Sequence, residues 1–168
     1  TTLANSYDNT KTSVSYAFRQ MEIEETAVYY FQFDYKGQGE SNFDYMRAWV
    51  APASAELTAG LLPNGNSSGF SSYTTTTPTG WYDLGGKMNQ QSDWTHVDAS
   101  AELTAGSYKL VFMWCNDGGG GTNPPAAVDN IRINQVNEIL ISARSAHETM
   151  GSVEGFGLYT YGAEVTLT

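Results

Sequence analysis

Few residues of this chain combine a reactive side chain with the spacing that a known kind of catalytic site requires. His96 and His147 lie far apart in the sequence, and neither belongs to a metal-binding His-x-x-x-His pattern. No G-x-S-x-G nucleophile motif occurs. Glu22, Glu24 and Glu25 fall in a polar connection, without the apolar pocket that separates the pKa values of a catalytic acid pair. The sequence therefore predicts a protein that is not an enzyme.

The stretch from Tyr108 to Ile133 contains Asp129, an acidic residue in an otherwise apolar setting. Tyr108–Cys115 has apolar side chains on both of its alternating faces, which is typical of a strand covered on both sides. Four consecutive glycines and Pro124–Pro125 exclude helix and strand from the loop that follows. A second strand is predicted at Ala127–Ile133, where Asp129 lies among apolar neighbours.

Two further predicted strands, Ala27–Lys36 and Phe43–Ala51, each carry one face that mixes aromatic and polar side chains. If these strands pair, the two faces become neighbours and form either a ligand platform or an ordinary half-solvated surface. Aromatic rings next to the long Gly-, Ser- and Thr-rich loop at Leu61–Gly80 could also stack on sugar rings, or they pack in the core. The predicted ligand contacts are Tyr30, Tyr45, Arg47, Trp49, Trp81 and Tyr82.

Composition narrows the class of protein. Charged residues make up 15% of the chain and aromatic residues 13%, which is typical of an all-β extracellular module rather than a helical cytosolic enzyme. Eighteen acidic residues against eight basic ones give a net charge of −10, so nucleic acid is not an expected partner. No apolar run is long enough for membrane insertion. The single cysteine, Cys115, excludes an internal disulfide and is predicted to be a small buried hydrophobic residue.

The chain divides at about residue 134. Residues 1–134 are long enough for one domain with a real core, whereas residues 135–168 bury little on their own. In this tail we predict three short strands, at Ile139–Ala143, Gly151–Glu154 and Glu164–Leu167, which dock on the first domain or belong to a unit that continues beyond Thr168. The octapeptide ASAELTAG occurs twice, at residues 53–60 and 99–106, and we interpret it as a reused connector.

Three stretches of the first domain resemble a known family: FQFDYKGQGESNFDYMRAWVAPASAELTAG, the strand around Trp94, and YKLVFMWCNDGGGGTNPPAAVDNIRI. They are similar to the jelly-roll modules of gut Bacteroidetes surface proteins, which are relatives of the cleaved-adhesin domains of gingipains and of MAM domains. The resemblance covers Asn5 to Ile133 and implies an antiparallel jelly-roll β-sandwich. Family members usually carry further strands upstream, so this chain is expected to lack its first ones.

The tail resembles a second family through GSVEGFGLYTYGAEVTLT. This stretch is similar to the short Gly-Tyr-Gly repeats of internalin-like bacterial surface proteins. Together the two resemblances imply a small C-terminal β appendage on a sandwich, within a multi-domain parent that is secreted or lies on a bacterial cell surface.

The first resemblance also implies a metal site. Asp129 is similar to the aspartate on the last strand of jelly-roll binding modules, which in many of them binds a structural Ca²⁺. Because calcium takes about six to eight oxygen ligands, Asp8 and Asp117 are the expected further carboxylates. The alternative is that Asp129 accepts backbone N–H bonds and anchors its loop.

The function expected from these features is non-catalytic recognition or adhesion at a bacterial surface, with a glycan or a host surface protein as the partner. Loops at Leu61–Gly80 and Asp117–Pro125 would contribute contacts. A structural spacer and an accessory module of a secreted hydrolase are the alternatives. The sheet edge left exposed by missing first strands would pair between copies and give a dimer.

Overall fold

The computed structural model describes residues 5–136, 138–146, 149, 151–160 and 163–168. Most of its strands coincide with stretches in which apolar side chains alternate. This part of the chain is nearly all β, so the predicted all-β fold class is confirmed. Its elements in chain order are β1 Ser13–Ile23, β2 Ala27–Gly37, β3 Tyr45–Pro52, α1 Phe70–Tyr73, β4 Tyr82–Asp83, β5 Gln91–Leu103, β6 Gly106–Asn116, β7 Ala127–Gln135, β8 Glu138–Ile141 and β9 Gly157–Thr160.

The strands form three antiparallel sheets. The first sheet has the order β1-β6-β3-β4, the second has the order β5-β2-β7, and β8 pairs with β9. The pairing expected between Ala27–Lys36 and Phe43–Ala51 is wrong, because β2 and β3 belong to different sheets. The chain crosses between the sheets over residues 38–44, where the N–H of Gln38 donates to the Pro124 carbonyl at 2.9 Å rather than to β3.

The first two sheets pack face to face in a sandwich-like arrangement around an apolar core. Phe33 of β2 meets Phe112 of β6 edge to face, with ring centroids 5.2 Å apart. Each sheet contributes every second side chain of its strands to this core, including Phe31 and Leu103 from the second sheet and Val50 from the first. Each large apolar side chain buried in this way contributes about 1.5–3 kcal/mol to stability.

A second apolar cluster covers the outer face of the first sheet. The segment 53–81 folds back over β3 and places Leu62, Phe70 and Tyr73 against the sheet. Trp49 of β3 and Trp81 at the end of the segment meet edge to face at 5.6 Å. Seven of the eight residues of β3 are therefore buried, because both of its faces are covered.

The tail forms the small sheet of β8 and β9. The predicted strand Ile139–Ala143 is confirmed in part, since β8 ends at Ile141. The strands predicted at Gly151–Glu154 and Glu164–Leu167 are wrong, because these residues do not adopt strand structure. Glu154 and Thr168 instead exchange two backbone hydrogen bonds, of 2.7 and 3.3 Å. The domain boundary at residue 134 stays a prediction.

Candidate functional site

Three of the predicted ligand contacts are fully buried. Tyr45, Arg47 and Trp49 point from β3 into the cluster beneath the segment 53–81, and none of them reaches solvent. Direct contact of these side chains with a glycan or a protein surface therefore disagrees with the structure. The apolar and aromatic side chains of the segment cover them, so the predicted loop at Leu61–Gly80 packs on the sheet and does not project freely into solvent.

Arg47 holds this segment in place through its guanidinium group. Nη1 donates to the carbonyl oxygens of Tyr73, Thr74 and Thr76 at 3.1, 2.7 and 3.2 Å. Nη2 donates to the Asp83 carboxylate at 2.9 Å, which closes a salt bridge from β3 to β4. Charge-assisted hydrogen bonds of this kind are the strong ones in proteins, so Arg47 has a structural role.

The other predicted aromatic contacts lie apart from one another. Trp81 is partly buried against the outer cluster, and Tyr82 is partly buried against the core between the sheets. Tyr30 lies on the outer face of the second sheet, with 44% of its surface exposed. Ligand binding by these three residues stays a prediction.

The outer face of the second sheet carries a second exposed ring, which is not among the predicted ligand contacts. Trp94 of β5 is 46% exposed, and the Lys36 ammonium lies 4.6 Å from its ring centroid. Tyr30 is opposite Ser100 in the β2–β5 ladder, six positions along β5 from Trp94. At about 3.3 Å per residue, the two rings are about 20 Å apart along the strands.

Asp34 is the centre of a polar network between these two rings. Its Oδ2 accepts from Nδ2 of Asn130 at 2.7 Å, and its Oδ1 lies 2.7 Å from Nδ1 of His96. These bonds, first that of Asn130 and then that of His96, lower the pKa of Asp34 below its ordinary value. The carboxylate is therefore ionised at neutral pH and fixed in orientation. Asn130 has a left-handed backbone with φ of 54°, at the irregularity where β7 pairs with β2.

Asp129, the first predicted metal ligand, is exposed on β7 and pairs with Asp34 across the ladder. Its Oδ1 accepts a 2.7 Å bond from the N–H of Asn130. This agrees with the alternative of a carboxylate that accepts a backbone N–H. Among the described residues Asp129 is not a member of the cluster of acids that could share a metal ion. The other histidine, His147, lies outside the described residues.

Asp8, the second predicted metal ligand, caps a turn. Its Oδ1 accepts from the N–H and the hydroxyl of Thr10, and its Oδ2 lies 3.1 Å from the Lys11 ammonium. The bond from the Thr10 hydroxyl is the largest reason why the pKa of Asp8 falls to about 2. Its carbonyl oxygen accepts from the Asn116 side chain, which joins the N-terminal segment to the end of β6.

Asp117, the third predicted metal ligand, does belong to a cluster of carboxylates with Glu40 and Asp44. One oxygen from each of the three residues lies within 4.8 Å of the others. Asp44 is buried, and burial together with the nearby Asp117 charge raises its pKa. The Tyr7 hydroxyl donates to Asp44 at 2.6 Å, and the pKa of Tyr7 is raised by burial and by this bond.

The glycine run after β6 fits closely around this carboxylate cluster. A Cβ at Gly121 would lie 1.9 Å from Oδ2 of Asp44, and one at Gly120 would lie 2.8 Å from Oε2 of Glu40. Gly121 also has φ of 84°, which side chains disfavour. The glycines are therefore needed where the loop passes the acids. Sequence reasoning missed Glu40 and Asp44, although both lie in the polar connection that follows β2.

The donor set of this cluster suits a hard cation. Three carboxylate groups on the connection after β2 and the loop after β6 offer the oxygen ligands that divalent cations such as Ca²⁺ and Mg²⁺ prefer. Burial of the Asp44 carboxylate, and then its repulsion by Asp117, raise the pKa of Asp44, and a bound cation would oppose both effects. The cluster could therefore hold a metal ion.

Comparison with known proteins does not add a family. The chain matches no protein-family model, and no curated protein matches its sequence. In the part of the chain that the structure describes, no helix has the length and apolar character needed to cross a membrane. Function therefore has to follow from the residues and their geometry.

Proposed function

We propose that this protein is a non-catalytic extracellular recognition module that binds a glycan on the outer face of its β5-β2-β7 sheet. The observation that carries the proposal is the exposure of two aromatic rings, Tyr30 and Trp94, on one rigid face with an ordered polar network between them. Exposed rings stack on the apolar faces of sugars, and a fixed carboxylate accepts hydrogen bonds from sugar hydroxyls.

The spacing of these groups favours an extended ligand of several linked sugars. Rings about 20 Å apart along the strands cannot both stack on a single sugar unit. Between the rings lie the Asp34 network and, further along, Gln32, whose Nε2 is 3.4 Å from the Asp98 carboxylate. A chain of sugars laid along β2 would meet an aromatic ring at each end and polar groups in its middle.

The proposal includes a jelly-roll connectivity, secretion or display at a bacterial surface, and a structural Ca²⁺. The calcium ion would lie at Glu40, Asp44 and Asp117, where it would neutralise the three acids and fix the glycine loop to the start of β3. Asp129 and Asp8 are not part of this proposed site. The cation would stabilise the sandwich end that carries the loop at Asp117–Pro125, without contacting the glycan face.

Glycan-array binding tests the proposal. The protein should bind one class of extended glycans, and Trp94→Ala and Tyr30→Ala should each weaken binding to those same glycans. Phe18→Ala is a matched control, because Phe18 is an exposed ring on the other sheet, with 53% of its surface accessible against 44% for Tyr30 and 46% for Trp94. A protein that binds no glycan would support the alternatives of a structural spacer or an accessory module of a secreted hydrolase.

A further inference from the structure

The two sheets leave the sandwich open along one side. Among the described strands, β1 is the outer strand of the first sheet and β7 is the outer strand of the second. Each therefore presents unpaired backbone N–H and C=O groups along one edge. Along this side, residues of β1 and of its neighbour β6 in the first sheet face residues of β7 in the second.

An apolar groove of about 480 Å³ runs between these two edge strands. It is lined by Ala17, Met21, Leu110, Phe112, Ile131 and Ile133. Ile131 and Ile133 face this groove, yet they are 49% and 39% exposed. A second opening of about 430 Å³ shares Ala17, Phe112 and Ile131 with it, so the apolar surface is continuous along β7. Contiguous exposed apolar surface of this kind marks an interaction site.

One charged side chain shares this groove. Arg19 of β1 is opposite Leu110 of β6 in the ladder, so it lies on the inner face of its sheet, and it lines the groove. Among the residues that the structure describes, Arg19 has no hydrogen-bond or ion-pair partner. A guanidinium beside apolar surface is well placed to receive a carboxylate from outside the chain.

We propose that the groove receives a β-strand from another protein, which pairs with the free edge of β7. The incoming strand would carry apolar side chains at alternate positions, to fill the space between Ile131, Ile133 and β1, and an inward carboxylate that reaches Arg19. Main-chain hydrogen bonds to β7 would give affinity, and the side chains would give specificity, as in β-strand addition generally. This site is separate from the proposed glycan face.

Charge distinguishes such a partner from a second copy of this chain. Each copy carries a net charge of −10, so two copies repel each other at long range. The groove itself carries Arg19 of β1, so two such grooves facing each other would bring two guanidinium groups together. A strand that carries a carboxylate would instead be attracted by the positive charge of Arg19. We therefore infer that the partner is a different protein, rather than the second copy of this chain expected from the sequence.

Fluorescence anisotropy with two labelled synthetic peptides tests this inference. The peptide TVTVTETVTV presents alternating valines with one inward glutamate, and TVTVTKTVTV replaces that glutamate by lysine. The glutamate peptide should bind the full chain at least about tenfold more tightly than the lysine peptide, because only the first can pair with Arg19. The Arg19→Glu variant should reverse this preference.

Two further variants separate groove binding from other causes. Ile133→Ser should weaken binding of the glutamate peptide, while Leu158→Ser, which alters an exposed apolar side chain of β9, should not. Thermal melting would show that the variants fold. The inference would be overturned if neither peptide bound the protein, or if both bound with equal affinity. So would a dimer in light scattering that Arg19→Glu or Ile133→Ser alters, since a second copy would then occupy the groove.

Discussion

Replacing Arg47 by methionine should remove the anchor of the segment 53–81 while preserving most of the side-chain volume. The guanidinium donates to three carbonyl oxygens of this segment and to Asp83. Its carbon atom also lies 4.8 Å from the centroid of the Trp49 ring. Methionine can fill the space beside Trp49, but it cannot donate to any of these acceptors.

The expected cost follows from these contacts. Breaking a buried charged pair by removing one partner typically costs about 3–5 kcal/mol, because the remaining groups lose their partners without regaining water. The carbonyls of Thr74 and Thr76 are only partly buried, so some of them can be rehydrated. We therefore expect Arg47→Met to lower the free energy of unfolding by about 3 kcal/mol, within a typical total of about 5–15 kcal/mol.

Urea unfolding at neutral pH, followed by tryptophan fluorescence, measures this loss directly. Lys11→Met is the matched control, because the Lys11–Asp8 ion pair lies at the surface, with the Lys11 side chain 80% exposed, so the loss should stay within about 1 kcal/mol. If Arg47 instead contributed to an exposed ligand surface, its substitution would change stability by only about 0.5 kcal/mol. A loss of that small size for Arg47→Met would refute the structural role derived for the buried arginine.

Further predictions concern the cation cluster, the polar network and the cysteine. Calcium should raise the melting temperature of the wild-type protein and not that of Asp44→Asn, which differential scanning calorimetry would show; at a hundredfold excess over Kd the gain is about 2.7 kcal/mol. Because the pKa of Asp44 is raised, calcium binding should release protons and weaken as the pH falls through that pKa, which calorimetric titration in different buffers would detect. Asn130→Ala should raise the pKa of Asp34 towards its ordinary value, which a carbon-13 NMR titration would show. In the wild-type protein the pKa of Asp34 is lower in the folded state than in the unfolded state. The stability contributed by the ionised Asp34 is therefore fully present above the unfolded-state pKa and is lost as the pH falls through the folded-state pKa. Burial raises the pKa of Cys115 to about 12, so a thiol reagent should label it only after unfolding, and rapid labelling of the native protein would contradict the buried position.

The strands could be predicted from the sequence because their pattern is local. Tyr108–Cys115, with apolar side chains on both faces, was expected to be covered on both sides. The corresponding strand β6 does place Leu110 in the core between the sheets and Val111 and Met113 in the outer cluster. Pairing could not be predicted in the same way. Adjacent strands joined by a short connection usually pair, yet β2 and β3 separate because the connection between them bonds to the loop before β7.

The repeated octapeptide shows how tertiary contacts override local sequence. At residues 99–103 it is the end of β5, where Ala101 faces Tyr29 and Leu103 faces Ala27 across the ladder with β2. At residues 53–60 the same octapeptide forms turns and no strand. The first copy instead lies in the segment that covers the outer face of the sheet, with Leu57 packed against the outer cluster. Identical propensities therefore give two conformations.

The candidate sites were predicted only in part for the same reason. Arg47 and Trp49 appeared to form an exposed face because a strand pattern reveals which side chains share a face, but not what covers that face. The acidic cluster joins Glu40 to Asp117, and nothing in the local sequence brings these positions together. Trp94 was not among the predicted ligand contacts, yet it lies on the exposed outer face of β5.

Calorimetric titration of the tightest-binding oligosaccharide from the array tests the central claim most directly. The wild-type protein and Phe18→Ala should bind with the same affinity, while the double variant Tyr30→Ala, Trp94→Ala should lose at least about 1 kcal/mol of binding free energy. Unchanged affinity of the double variant, with its fold intact, would contradict the assignment of the glycan site to the outer face of the β5-β2-β7 sheet.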